Sequence, residues 1–320
     1  MPRFTRNTAI LAKIESAYGV DPVPTGDANA MLISNQSINP LNSNNIDRDL
    51  VRSYFGASEQ LVGDAYVEIS FDIELQNGGT AGEAPGYGCL LRACGFAESL
   101  LATPARVEYT PVSTGQESVT IYYYDDGVLH KALGCRGNVV FKPIAGQRPV
   151  MSFKFFGLDG GMSEATPGSL TLTGFKVPQA VTNPNTGDVT LGGTYAAGAI
   201  TGGTAYPSRG LEVDCGNNVQ HIPLLGGESA DITGRDMTGK ATFDLTAAQE
   251  VTFMTAVKAT ATQSLSLLHG TTAGHKVLLV GAAVQLINPA KEDFNGRRLI
   301  GYGLRFLPVS GNDEFRLVLL

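Results

Sequence analysis

Tyr66-Val67-Glu68-Ile69-Ser70-Phe71-Asp72-Ile73-Glu74-Leu75 alternates without a break. Val67, Ile69, Phe71, Ile73 and Leu75 share one face of an extended chain, and Tyr66, Glu68, Ser70, Asp72 and Glu74 share the other. A side-chain period of two over this length marks an antiparallel strand with one buried and one wetted face. Ile69 to Ile73 has an echo in Ala241-Thr242-Phe243-Asp244-Leu245, which turns Ala241, Phe243 and Leu245 inward and Lys240, Thr242 and Asp244 outward.

Three more echoes keep the same order along the chain. Ser37-Ile38-Asn39-Pro40-Leu41 pairs with His221-Ile222-Pro223-Leu224, His130-Lys131-Ala132-Leu133 with His275-Lys276-Val277-Leu278, and Phe153-Lys154-Phe155 with Leu304-Arg305-Phe306. Echoes in register point to a weak internal duplication. The reading is an N-terminal segment over 1–29, a first copy over 30–158, a Gly/Thr-rich connection over 159–209 and a second copy over 210–320. The fold class is mainly β, two tandem antiparallel β-sandwich or barrel-like units with one short helix each.

Each copy follows the same coarse plan. In the first, Pro85 suits an opening helical position, with Leu90, Leu91 and Cys94 as the apolar stripe. In the second, Thr246 and Gln249 have capping-box spacing, and Val251, Met254 and Val257 follow at helical intervals. Val119 to Tyr124 should turn at Asp125-Asp126-Gly127 into Val128 to Ala132. Strands are also expected at Asn138 to Lys142 and Val150 to Phe156, and in the second copy at Ser264 to Leu268, Lys276 to Val280, Ala283 to Ile287 and Leu299 to Leu307. The connection should hold strands at Ser169 to Thr173 and Asp188 to Leu191. The first copy alone is expected to carry a long loop over 42–63, where the second has only Gly226-Gly227-Glu228. Leu50, Val51, Tyr54, Phe55 and Leu61 give this loop the look of an arm that packs on another subunit.

Composition narrows the function. Of 320 residues, 43% are hydrophobic, enough for a sizeable core, while 17% are charged against the roughly 25% of ordinary domains. A surface that poor in charge and rich in Gly is suited to facing other protein. The net charge of −7 excludes a basic nucleic-acid binder held by phosphate neutralisation. Residues 1–165 hold 12 basic and 18 acidic residues, so most of the excess lies there. Cys89, Cys94, Cys135 and Cys215 form no Cys-x-x-Cys pair and read as packed free thiols. The N-terminus has too short an apolar run for a signal peptide, and Val277 to Ile287 is too interrupted to span a bilayer, so a soluble cytoplasmic product is expected.

Catalytic readings are weaker than structural ones. Glu68, Asp72 and Glu74 share a strand face, as paired glycosidase carboxylates could, but a wetted face needs the same spacing. His130, His221, His269 and His275 with Cys215 lack tight zinc spacing. Gly78-Gly79-Thr80-Ala81-Gly82 lacks the phosphate-loop lysine. The expectation is a protein that is not an enzyme and uses no cofactor.

Tyr18-Gly19-Val20-Asp21-Pro22-Val23-Pro24, Asp49-Leu50-Val51-Arg52 with Gly56-Ala57-Ser58, and Leu90-Leu91-Arg92-Ala93-Cys94-Gly95-Phe96 resemble the tail tube proteins of long-tailed bacteriophages. The resemblance is closest over the first half of the chain. It implies a β-sandwich-like unit whose strands join neighbours into a barrel around a hollow tube, with DNA passing down the bore without specific binding. Rings stack, and an extended arm grips the next ring. Relatives with one domain make six-subunit rings, so a doubled chain implies a pseudo-hexameric trimer in a siphophage-type virion assembled in the host cytoplasm. Partners implied are the protein itself, a tape-measure protein, tail terminator and tail-tip proteins, and no membrane. Glu68, Asp72, Glu74 and Asp244 are the lumen-facing candidates, with Lys154, Lys240 and Arg305 able to make that wall mixed. Asp47, Arg48, Asp49, Leu50, Val51, Arg52, Tyr54 and Phe55 are the inter-ring candidates. A contrasting reading is a secreted carbohydrate-binding or adhesin-like β protein.

Overall fold

The computed structural model describes residues 2–320, and Met1, the first residue of the expected N-terminal segment, lies outside the described residues. In chain order the first half holds β1 (Thr8–Ile14), a single helical turn α1 (Gly26–Asn29), β2 (Ala30–Met31), β3 (Ser34–Ile46), β4 (Leu61–Glu74), α2 (Gly88–Ala93), β5 (Phe96–Ala102), β6 (Ala105–Pro111), β7 (Val119–Asp125), β8 (Val128–Lys142) and β9 (Val150–Glu164). The second half holds β10 (Val189–Leu191), β11 (Thr194–Ala196), β12 (Ala199–Thr201), β13 (Thr204–Tyr206), β14 (Ser208–Asp214), β15 (Asn217–Leu224), β16 (Gly227–Arg235), β17 (Thr238–Phe243), α3 (Ala247–Lys258), β18 (Thr262–His269), β19 (Val277–Phe294), β20 (Arg297–Leu307) and β21 (Phe315–Leu319). The fold is mainly antiparallel β, consistent with a β-sandwich.

The alternation in β4 does what its period demands. Val67, Ile69, Phe71, Ile73 and Leu75 are all buried, and the intervening side chains stay partly exposed. The Phe71 ring lies 5.8 Å from that of Phe153 and 5.9 Å from that of Phe155, both on the neighbouring β9.

Strand order is the same in the two halves. The first runs β1–β7–β8–β9–β4–β3. The second runs β10–β18–β19–β20–β17–β14. Side pairings match as well, β1 with β2 and β10 with β13. Both edge hairpins break register near their start, between Ser34 and Ser37 in β3 and between Ser208 and Leu211 in β14. The matching set therefore includes β1, from the 1–29 segment, and β10, from the 159–209 connection.

The halves are stitched together. β14 pairs with the end of β8, Val213 opposite Phe141 and Asp214 opposite Val140. The C-terminal β21 inserts between β19 and β6. Phe315 on β21 packs against Phe141 at 5.3 Å, Phe306 at 6.0 Å and Phe96 at 6.3 Å. One continuous buried cluster thus draws on both halves.

Four local expectations are corrected. The loop expected over 42–63 is shorter at both ends: β3 runs to Ile46 and β4 starts at Leu61, so 47–60 are the residues outside strands. The second half has its own projecting hairpin, β15 with β16, where only a short turn was expected. In α3 the capping box forms, the Thr246 hydroxyl accepting from the Gln249 amide at 3.3 Å and the Gln249 side chain accepting from the Thr246 amide at 2.9 Å. Val251, however, faces solvent, and Phe253 is the buried anchor, because the inward stripe runs through Glu250, Phe253, Met254 and Val257. In the connection, Ser169 to Thr173 is irregular, while Asp188 to Leu191 becomes β10.

Candidate assembly surfaces

One sheet path crosses the molecule: β3–β4–β9–β8–β14–β17–β20–β19. It ends in two open borders. Among the described residues, β3 makes a ladder with β4 alone. β19 has β18 on one side over Thr262–His269 and β20 on the other, but past Ile287 the β18 side is bare and Asn288–Phe294 pairs with β20 alone. Unpaired N–H and C=O groups in a row are a template for another strand.

The wetted face of this path carries the four lumen candidates, each with a partner. Glu68 meets Lys154 Nζ at 2.8 Å, and Glu74 meets Arg148 at 3.4 Å. Asp72 accepts from Asn35 Nδ2 at 2.7 Å, and Asp244 meets Arg297 at 2.5 Å. Lys240 pairs with Glu292 at 3.1 Å, and Arg305 with Asp236 at 3.0 Å. The bases are interleaved with the acids, so the face is a mosaic of ion pairs instead of an acidic wall. Pairs this exposed contribute little stability, about 0–1 kcal/mol each, and their effect is on the local field. Thr242, expected outward, is buried, and its hydroxyl donates to Glu292 at 3.4 Å.

The β3–β4 extension ends in the 47–60 loop. Its charges are largely satisfied within the loop: Arg48 contacts Glu59, Arg52 lies 3.8 Å from Glu59, and Gln60 donates to Asp47 at 2.6 Å. Asp49 is exposed. Its apolar side chains are not satisfied. Val51 and Phe55 are fully exposed, Tyr54 is 67% exposed and Leu50 is 45% exposed. What the arm holds out in a single chain is therefore apolar.

The second hairpin was missed as a projection in the sequence. Its tip, Leu224 and Leu225, is also exposed. Gly226-Gly227 directly after two apolar residues was the available signal, since glycine supplies the positive φ of a tight hairpin, and Gly226 sits at φ 83°. The two projections touch where the rings of Tyr66 on β4 and His221 on β15 stack at 5.0 Å.

The four thiols are packed. Cys94, Cys135 and Cys215 are buried, and burial pushes the Cys89 thiol up to about 12. A thiol held protonated in this way is a poor nucleophile. Among the described residues, no helix is long and apolar enough to cross a membrane.

A family model described as phage tail tube protein matches residues 5–303. No curated protein matches the chain. The match begins before β1 and ends within β20, so it takes in strands of both halves, both projections and the helices α1, α2 and α3, and the chain belongs to the phage tail tube protein family, structural components of the phage tail.

Proposed function

We propose that this protein polymerises as stacked rings into the hollow tail tube through which DNA passes to the host. The observation that carries the reading is the sheet path with an open strand at each end, in a chain of this family. A ring closed by one repeated head-to-tail contact uses both borders and leaves none exposed. With two copies of one strand order in each chain, three chains give six quasi-equivalent units, a pseudo-hexameric trimer.

The mosaic face is the bore wall in this reading, with Glu68, Asp72, Glu74 and Asp244 lining it. Alternating charge cancels at short range and gives phosphates no basic track to stall on. The apolar arm tip around Val51, Tyr54 and Phe55 buries itself against the next ring, which sets the stacking. The working partners are other copies of the chain, a tape-measure protein inside the growing tube, and terminator and tip proteins at its ends. Assembly takes place in the host cytoplasm, and the finished protein resides in the virion tail.

Negative-stain microscopy of the purified protein tests the core of this: hollow rods or rings are expected, with three chains in each ring. Dispersed monomers at every concentration would remove the tube reading, and six whole chains per ring would remove the trimer. Deleting Asn45 to Leu61 should leave folded subunits that do not stack. Changing Glu68, Asp72 and Glu74 together to Lys should leave tubes that form but eject DNA slowly.

A further inference from the structure

Each half carries a small apolar patch apart from the shared core: Ala9, Leu11, Tyr122, Tyr124 and Leu129 in the first, and Leu278, Val280 and Val318 in the second. The 159–209 connection covers both, in different ways. Over the first patch, Ala165 and Leu172 sit on chain fixed by main-chain bonds, Ala165 N–H to Gly127 O at 3.0 Å and Thr171 N–H to Gly26 O at 3.1 Å. Over the second lie Tyr195 and Ile200, opposite each other on the β11–β12 hairpin. Among the described residues, this hairpin pairs with no other strand, and no main-chain hydrogen bond leaves Thr194–Thr201.

The hairpin is tied at its root and at one latch. Its two arms join the sheet through Gly192-Gly193 and Gly202-Gly203, and Gly192, Gly202 and Gly203 sit at φ 79°, 71° and 82°, open to glycine at no steric cost. At the root, Gly192 N–H donates to Ser264 O at 2.9 Å and the Ser264 hydroxyl donates to Gly193 O. Beyond the root the polar hold is Tyr195, whose hydroxyl donates to Glu108 Oε1 at 2.5 Å and whose ring lies 4.9 Å from the Arg316 guanidinium. Glu108 does not depend on that bond. Arg106 Nε donates to the same oxygen at 2.6 Å, and Arg316 bridges to the other. Releasing the tyrosine therefore leaves the buried carboxylate paired and avoids the large cost of an orphaned charge. A cleft of about 490 Å³, lined by Ile200, Leu268, Leu278 and Leu320, lies between the Ala199–Gly202 arm and strands β18 and β19, so the cover is not packed on every side.

From the self-contained hairpin, the glycine pairs at its root and a latch whose acceptor keeps other partners, we infer that Thr194–Thr201 is a hinged flap. It swings as one unit about the two glycine pairs and uncovers Leu278, Val280 and Val318 while the core stays folded. This is a local opening, lower in free energy than unfolding of the strands beneath. The cover over the first half, pinned through its main chain, has no such freedom. The flap belongs to the single subunit and does not rest on the tube reading.

Thiol labelling of the full-length chain tests it. Val318 is fully buried within the covered patch, and Val318→Cys places a thiol there with little change in volume. A polar thiol reagent should label the introduced thiol while the buried Cys94, Cys135 and Cys215 stay unlabelled. The rate should be insensitive to low urea, because a small opening exposes little surface. Adding Tyr195→Phe should raise it at least about tenfold, the effect of removing one hydrogen bond to a charged group, with the three native thiols still protected. An introduced thiol that reacts only in step with Cys94, Cys135 and Cys215, at a rate that climbs with urea, overturns the flap. An unchanged rate in the Tyr195→Phe chain overturns the latch. Should Val318→Cys not fold, Val280→Cys, 6% exposed on the neighbouring β19, gives the same readout.

Discussion

Asp214 Oδ1 accepts a hydrogen bond from Asn138 Nδ2 at 2.7 Å, which ties the end of β14 to β8 across the two halves of the chain. The same carboxylate oxygen accepts the Gly216 amide at 2.8 Å, and Asn138 Oδ1 accepts the Asn217 amide at 3.0 Å. The junction thus has side-chain bonds as well as its backbone ladder. Asp214→Ala would leave Asn138 without this partner, and a half-buried donor without an acceptor costs about 1–3 kcal/mol. Urea unfolding should show that loss as a lower midpoint with unchanged steepness, because the two halves share one core.

Gly210 lies in the same junction at φ +108°, and a Cβ placed there would sit 2.3 Å from Pro143 O. Gly210→Ala combines a disfavoured backbone region with a main-chain clash. A loss of about 2 kcal/mol or more is expected, against less than about 0.5 kcal/mol for Gly227→Ala, where nothing lies near the added methyl. Thermal unfolding of the two variants beside the parent chain checks this contrast.

Glu15 is a buried hub. One oxygen accepts from Thr120 Oγ1 at 2.6 Å and the Gly134 amide at 2.7 Å, and the other from Ser118 Oγ at 2.6 Å and the Gly19 amide at 2.8 Å. Glu15→Gln turns one acceptor into a donor that faces donors, so a cost of about 2–3 kcal/mol is expected, in the range for bonds to charged groups. Chemical denaturation of the Gln variant measures it, and a change below 0.5 kcal/mol, the scale of a neutral surface substitution, would contradict the hub.

Acid should weaken the subunit in two stages. Burial holds His130 and His269 below the usual histidine pKa. A group with a depressed folded pKa contributes stability above its unfolded value, near 6.5, that is lost as pH falls through the folded one. Unfolding free energy should therefore begin to fall below about pH 6.5, and His130→Gln should flatten that part of the curve. The second stage belongs to Glu108. Burial alone would raise its pKa, but bonds from Tyr195 and Arg106, with Arg316 nearby, bring the net below the usual carboxylate value. Its contribution holds above the ordinary glutamate range and disappears as pH falls further. Stability measured between pH 3 and 8 in parent, His130→Gln and Glu108→Gln chains separates the stages.

Val51→Asp with Phe55→Asp should leave subunit stability within about 0.5 kcal/mol of the parent, since both side chains are fully exposed. Stacking should fail, seen as single rings in place of long rods. Rods of normal length would show that the arm tip does not grip the next ring.

Local periodicity was enough for much of the fold. The face of β4, the capping box at Thr246 and Gln249, and the turn at Asp126-Gly127 depend on residues close in sequence, so their spacing carries the information. The arm tip was legible for the same reason, as apolar residues in a segment with no core of its own. Ion partners were not. Lys154 on β9 and Arg148 in the connection before it reach Glu68 and Glu74 from some eighty residues away, and no pattern near the acids announces them.

The amino-acid pattern by itself determined that this is a doubled, mainly antiparallel β chain and which face of its central strand is buried, because side-chain alternation is a property of consecutive residues. Only the tertiary structure decided which strands lie side by side, that β14 closes onto β8 while β3 and the end of β19 stay bare, and that the wetted face is a mosaic. Those outcomes depend on long-range backbone pairing, where every strand offers the same N–H and C=O groups and only the packing of the whole core selects among them.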